Sequence, residues 1–383
     1  MANSTGQRMP SLDGIRAISI LMVLYGHLSG TRHFPVANPG GYGRWFGDVA
    51  HLGVFVFFVI SGFLITSLLM SEREMTGTIS LKRFYLRRVL RIFPTFYAFI
   101  LVVAIAVLWG AIHLTARNFA YALTFGFNYS KDHPWQLGHL WSLSIEEQFY
   151  LLWPLMLVVL RARHALIVAI AAIFTSALLR AAIRAWILQA GPHVFVSKMT
   201  IFPAMCDYLA AGCALAMLRP WLLTQTWYLH LTSSRWLVLA VPVVLLINRV
   251  GGDPLVILLG APVTNVCLAL LVESSTRHAG SLAGRFLNWR PVAFLGTLSY
   301  SLYLWQELFL DRGSDAWVNA FPQNLMFAFL AALASWFLIE RPFVRLRRRL
   351  RRSAGQPVRV QGSAGGEWMA FEEAVPAATR RHK

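Results

Sequence analysis

Ser11-Leu-Asp-Gly-Ile-Arg-Ala-Ile-Ser-Ile-Leu-Met-Val-Leu-Tyr-Gly-His27 begins the first of a series of apolar stretches, and it carries an arginine and a histidine inside one helix-forming run. Ionisable groups are costly within a membrane span and ordinarily face a bundle interior or a wet cavity, which makes Arg16 and His27 candidate functional residues. At about 100° and about 1.5 Å per residue, the step from Arg16 to His27 is three turns plus roughly 20°, so both side chains share one face, roughly 16 Å apart along the axis. A competing reading has Arg16 reaching the headgroups and His27 closing the far end of the helix.

Outward from this stretch the pattern repeats. The chain of 383 residues is 57% hydrophobic, with a mean hydropathy of +0.54, too apolar for a protein with water on every side. Runs near the length that crosses a bilayer, about 20 residues, recur at 11–30, 51–70, 89–110, 141–160, 165–189, 199–218, 234–250, 254–273, 292–310 and 317–340. They predict an all-α polytopic membrane protein of about ten spans. One membrane domain is expected over 1–350, followed by a basic tail at 351–383 whose Gly, Ala, Ser and Arg content suits disorder.

The net charge of +18 is distributed by membrane side, which argues against nucleic acid as its partner. With both termini in the cytoplasm, the inner segments hold Arg8, Arg73, Lys82, Arg83, Arg87, Arg88, Arg161, Arg163, Arg219, Arg235, Arg277, Arg285, Arg290 and the tail. The outer loops hold only Arg32, Arg44, Arg117, Lys131, Lys198, Arg249 and Arg312. That asymmetry follows the positive-inside rule, and an even span count agrees with it. Arg8 ahead of an apolar run resembles a secretory signal, but Asp13 and Arg16 interrupt it and no small-residue cleavage site follows His27, so a retained span is expected. Cys206, Cys213 and Cys267 lack disulfide or zinc spacing and are expected in the core. No metal site is expected.

Three stretches could supply chemistry. His139-Leu-Trp-Ser-Leu-Ser-Ile-Glu-Glu-Gln-Phe-Tyr150 enters the fourth span and is expected to bring Glu146 or Glu147 to the depth of His27, with Tyr150 beside either. A carboxylate there would orient the imidazole as a general base. Capping of the helix by Ser142 or Ser144, with acidic residues acting on its dipole, is the structural alternative. In the ninth span, Tyr300, Tyr303 and Glu307 fall within a face of about 60° while Gln306 points to the side; an interfacial tyrosine belt would look the same. Lys82-Arg-Phe-Tyr-Leu-Arg-Arg-Val-Leu-Arg-Ile-Phe-Pro94 places Arg87, Arg88 and Arg91 where bidentate donors suit phosphates such as those of coenzyme A, or anionic lipid headgroups. The loop at 111–139 offers Asn118, Asn128, Tyr129, Lys131, Asp132, His133 and Trp135 for sugar contact, or as an aromatic belt.

Taken in order, these segments resemble acyltransferase family 3, the integral membrane O-acyltransferases. The resemblance is nearly full-length. It rests on Leu12-Asp-Gly-Ile-Arg16 with His27, on Gly53-Val-Phe-Val-Phe-Phe-Val-Ile-Ser-Gly-Phe63, on Phe84-Tyr-Leu-Arg-Arg-Val-Leu-Arg-Ile-Phe-Pro94, on Leu140-Trp-Ser-Leu-Ser-Ile-Glu-Glu-Gln-Phe-Tyr150, on Leu298-Ser-Tyr-Ser-Leu-Tyr-Leu-Trp305 and on Phe337-Leu-Ile-Glu-Arg-Pro342. It implies a ten-helix core that takes an acyl group, often acetyl, from cytoplasmic acyl-CoA and delivers it to a sugar hydroxyl on the other side of a bacterial cytoplasmic (inner) membrane. By the same resemblance Arg16 and His27 are essential, Arg87, Arg88 and Arg91 match the basic motif, and Glu146 or Glu147 the carboxylate motif. Members often carry His where this chain has Gln306. A fused hydrolase-like domain, present in some members, is not expected here.

The expected reaction is O-acyl transfer. His27 would act as general base or transient acyl carrier, Glu147 would orient it, and Arg16 would hold donor phosphate or stabilise developing charge. His139, Tyr150, Tyr300, Tyr303 and Gln306 are assigned to substrate contact. The donor is acyl-CoA, acetyl-CoA for preference; the other partners are the lipid bilayer and a sugar or glycoconjugate acceptor. The rival reading is a transporter or flippase for a glycolipid or small anion, with the same buried charges lining its path.

Overall fold

The structure is a computed structural model that describes residues 11–35, 43–190 and 199–346; the predicted tail at 351–383 lies outside them. The described residues are helical, with no strand among them. The principal helices are α1 (Leu12–Leu28), α2 (Gly43–Thr76), α3 (Leu81–Leu108), α4 (Leu140–Val159), α5 (Ala162–Ala190), α6 (Asp207–Leu222), α7 (Pro254–Arg277), α8 (Arg290–Trp305) and α9 (Gln323–Ser335). A π-helical turn, Trp336–Glu340, follows α9.

Among the described residues, five helical stretches are long and apolar enough to cross a membrane: Val49–Thr76, Leu81–Leu108, Ala162–Gln189, Pro254–Arg277 and Gln323–Leu346. A sixth is added if Thr226–Ser233 and Arg235–Val250, bent by 64°, form one span. This is fewer than the ten apolar runs of the sequence, and the shortfall has a physical cause. Helices α1, α6 and α8 have only 17, 16 and 16 residues, and in α4 the run Glu146-Glu147-Gln148 lowers an otherwise apolar helix. These short or polar helices carry buried polar groups such as Ser142, Asp207 and Ser299. Helices α3 and α5 instead turn Leu101, Leu108, Ile167, Phe174 and Leu178 outward, as lipid-facing helices must when backbone polar groups are satisfied internally.

Helix α1 packs between α2 and α8, and α2 packs on α6. Glycines permit both approaches. A Cβ at Gly296 of α8 would collide with the Asp13 carbonyl, and Cβ atoms at Gly62 and Gly212 would collide with the carbonyls of Leu209 and Val59 on the opposing helix. Small residues bring helix backbones together where apolar burial supplies no preference over lipid. The start of α1 is fixed by Ser11, whose backbone N–H donates to Asn288 Oδ1 (2.9 Å) while Asn288 Nδ2 donates back to Ser11 Oγ (2.9 Å). At its other end, Arg312 donates to the Gly26 carbonyl (2.6 Å) and the Thr31 hydroxyl to the Leu28 carbonyl (2.8 Å). Both satisfy carbonyls a helix C-terminus leaves open, and the cation also complements the dipole. Arg16 and His27 are thereby held at opposite ends of one clamped helix.

A second anchor lies away from this helix. Arg180 of α5 and Asp207 of α6 form a buried bidentate pair, 2.6 Å on each arm. Asn265 of α7 adds a bond to Asp207 Oδ2 (2.8 Å), and the guanidinium lies 5.3 Å from the Tyr208 ring centre. Three helices are tied at one point.

Candidate active site

A cavity opens between α1, α2, α3, α4 and α8. Its polar lining is Arg16, Ser61, Arg88, Arg91, Ser142, Glu146, Tyr150, Ser299, Tyr300 and Tyr303, set among Val54, Phe57, Phe58, Leu64, Ile92 and Leu143. Helical spacing accounts for the grouping: Arg88 and Arg91 lie three residues apart on α3, as do Tyr300 and Tyr303 on α8, and such pairs share a face. Glu146 accepts from Ser61 (2.6 Å), and Tyr150 donates to the same hydroxyl (3.2 Å). Arg88 stacks over the Tyr150 ring at 4.4 Å, a cation–π contact that holds the guanidinium without consuming its hydrogen-bonding edge. Arg16 lies 4.0 Å from Asp13. The cavity therefore joins three guanidinium groups to one bound carboxylate.

Towards the other end of α1 lies a second cluster. Glu307 accepts from the backbone N–H of His139 (3.0 Å) and meets the Nδ1 of that ring at 2.8 Å, both on Oε2. Its Oε1 is 3.7 Å from Nδ1 of His27. Glu307 and His139 are buried, whereas the His27 side chain keeps 20% of its exposure. The Trp135 ring meets His27 edge-on at 5.5 Å, and Arg312 stacks over Trp135 at 5.0 Å. Tyr303 connects the two regions: its hydroxyl lines the cavity, donates to the His139 carbonyl (3.1 Å) and closely contacts the Ser142 hydroxyl.

The family profile described as an acyltransferase domain matches residues 9–341. The chain belongs to acyltransferase family 3. It is 27% identical over 364 residues to the peptidoglycan O-acetyltransferase OatA of Listeria monocytogenes, covering 88% of this chain and 54% of that protein. It is 30% identical over 329 residues to the O-acetyltransferase OatA of Staphylococcus aureus, covering 78% and 50%. The chain thus spans about half the length of these curated relatives. No solved structure matches it.

In this acyltransferase family 3 chain, seven residues singled out from sequence meet at the cavity: Arg16, Arg88, Arg91, Glu146, Tyr150, Tyr300 and Tyr303. His27, His139 and Gln306 belong to the second cluster, with Glu307. Arg87 is outside both, paired with Glu72 at 3.2 Å. Glu147 does not reach His27, contrary to the expected pairing; its charged neighbours are Arg88 and Glu146. The reason is axial register. Helix α4 starts at Leu140, so the glutamates lie about 10 Å further along it than His139 at about 1.5 Å per residue.

Glu307 is the carboxylate at His27, and Gln306 is buried beside it instead of pointing away. The α-helix ends at Trp305 and a 3-10 turn covers Gln306–Leu308. Three residues per turn rather than 3.6 changes the direction of both side chains. The polar sequence of the long loop marks only part of what it does. Asn118 closes a capping box with Thr115 and Asn128 bonds Gln148, while Trp135 is the loop residue that reaches His27.

Proposed function

We propose that this chain is a multi-pass O-acyltransferase of the bacterial cytoplasmic membrane. It moves an acyl group, acetyl for preference, from cytoplasmic acyl-CoA to a hydroxyl of an extracytoplasmic or lipid-linked glycan. The observation that carries this reading is the Glu307 carboxylate, fixed by His139 and facing His27 at 3.7 Å. An imidazole beside an anchored carboxylate is suited to take a proton from a sugar hydroxyl, a weak nucleophile at neutral pH, and a positioned base of this kind contributes about 10²–10⁴-fold. Arg16, Arg88 and Arg91 supply guanidinium groups for the donor phosphates. The Lys and Arg distribution supports a cytoplasmic location for both termini, and with them for the Arg16 end of α1. The membrane domain extends over residues 1–350.

On this reading the donor approaches from the Arg16 end, its acyl group passes Tyr303 and Ser142, and the acceptor meets it at His27. The carboxylate stabilises the imidazolium as His27 takes the hydroxyl proton. The Listeria relative, named a peptidoglycan O-acetyltransferase, makes an envelope glycan the first acceptor to try. The test is transfer of radiolabel from acetyl-CoA to glycan in membranes of expressing cells, comparing the intact chain with His27→Ala. Label that requires His27 supports acyl transfer at this centre; equal labelling removes His27 from the reaction.

A further inference from the structure

Gln306 stands out among the buried amides. It is fully buried, its carboxamide is directed at the His27 imidazole, and neither its nitrogen nor its oxygen has a partner within ordinary hydrogen-bonding geometry. The buried Asn side chains among the described residues each use at least one amide atom. Asn118 accepts from Thr115, Asn128 bonds Gln148, Asn265 donates to Asp207, Asn319 donates to the Phe309 carbonyl, and Asn324 donates to the Asn319 carbonyl. Leaving a buried donor or acceptor unsatisfied is costly, because its lost water bonds are not replaced. A carboxamide kept for packing alone would be replaced by Leu at no loss. One kept at a reacting centre has a partner that arrives with the substrate. His139 Nε2 and Trp135 Nε1 at the same histidine pair, and Trp305 Nε1 next to Gln306 in the chain, are also without hydrogen-bond partners.

We propose that Gln306 is a catalytic hydrogen-bond donor to the oxygen of the acyl group under transfer at His27. The inference rests on the acyl-transfer reading above. The acceptor hydroxyl oxygen bonds to the thioester carbonyl carbon as its proton passes to His27, and the C=O π pair moves onto the carbonyl oxygen. That oxyanion accepts the N–H of Gln306. Collapse of the adduct restores C=O, breaks the C–S bond, and returns the proton from His27 to the departing thiolate, giving the ester and free coenzyme A. An amide carries no charge of its own and donates without titrating, so it stabilises the oxyanion without competing with His27 for the proton. A donor aimed at the oxyanion strengthens its bond as charge develops, and its contribution therefore falls on kcat.

The test uses membranes of cells expressing the full chain, radiolabelled acetyl-CoA and the endogenous envelope glycan. Wild type, Gln306→Leu and Gln306→His are compared for kcat, for KM towards acetyl-CoA and for thermal stability. Gln306→Leu is expected to lower kcat by about 10²–10³-fold, the usual effect of losing one oxyanion donor, with KM within about two-fold and no loss of stability, because an unpaired polar group gives way to an apolar one. Gln306→His, which keeps a ring N–H, is expected to recover to within about ten-fold of wild type. A folded Gln306→Leu protein with kcat within about three-fold of wild type overturns the role of Gln306 alone, as does a loss no larger than the loss of folded protein. Absence of transfer by the wild-type chain overturns the acyl-transfer reading itself, and this inference with it.

Discussion

Glu307 is anchored by His139 on one carboxylate oxygen, at 3.0 Å from the backbone nitrogen and 2.8 Å from ring Nδ1, and presents its other oxygen to Nδ1 of His27 at 3.7 Å. An ionised carboxylate only accepts hydrogen bonds, so this arrangement sets the His139 proton on Nδ1. The carboxylate cannot turn away from His27 without giving up two bonds. Position and charge are supplied by separate elements: α8 and its 3-10 turn bring the carboxylate, the start of α4 holds it, and α1 brings the imidazole that uses it.

Adjacent arginines on α3 should behave differently. Arg88 lines the cavity and stacks on Tyr150, whereas Arg87 turns to Glu72. Arg88→Ala is expected to raise KM for acetyl-CoA by about 10–150-fold, the equivalent of one charge-assisted hydrogen bond of about 1.5–3 kcal/mol. Arg87→Ala should change KM by less than about three-fold, as expected for a partly exposed ion pair. Initial-rate kinetics in membrane vesicles would check both. Equal effects would show that the cavity does not select between them.

The anchor between α5, α6 and α7 predicts a stability effect without a catalytic one. Arg180→Ala leaves Asp207 as an uncompensated buried charge, which costs about 3–5 kcal/mol. Thermal unfolding in detergent should show a lowered midpoint, while label transfer per folded molecule stays close to wild type. An unchanged midpoint would contradict the account of this pair.

Gly62 faces the Leu209 carbonyl across the α2–α6 contact. Gly62→Val inserts a branched side chain where backbone already stands, so the helices must separate. Accumulation in membranes is expected to fall by more than about ten-fold, since overpacking of this kind typically costs 1–3 kcal/mol or more. Immunoblotting of membrane fractions would measure it. Wild-type accumulation would mean that the helices do not approach as closely as described.

Much of the site was legible because its residues obey simple helical spacing. Arg16 and His27 on α1, Arg88 and Arg91 on α3, and Tyr300 and Tyr303 on α8 share faces that a count of about 3.6 residues per turn identifies. The apolar runs were equally plain, yet the number that qualify as spans was not, because α1, α6 and α8 are short and α4 carries Glu146 and Glu147. Glu307 was visible on the Tyr300 face, but its pairing with His27 depends on where the α-helix ends. A change to 3-10 geometry at Gln306 leaves no clear trace in residue type. Glu147 misled for a related reason: depth along α4 depends on the turn at His139, not on periodicity. Arg180 and Asp207 lie on different helices, 27 residues apart in sequence, and only the packing of α5 on α6 brings them together.

The central claim is that Glu307, and not Glu147, is the carboxylate serving His27. The direct measurement is the initial rate of radiolabel transfer from acetyl-CoA to envelope glycan by Glu307→Gln and Glu147→Gln, each in equal amounts of folded protein. Glu307→Gln keeps the shape and removes the charge, so a loss of about 10²–10⁴-fold is predicted, the range a positioned base contributes, against less than about ten-fold for Glu147→Gln. A Glu307→Gln protein as active as wild type, or a larger loss in Glu147→Gln, would contradict the account.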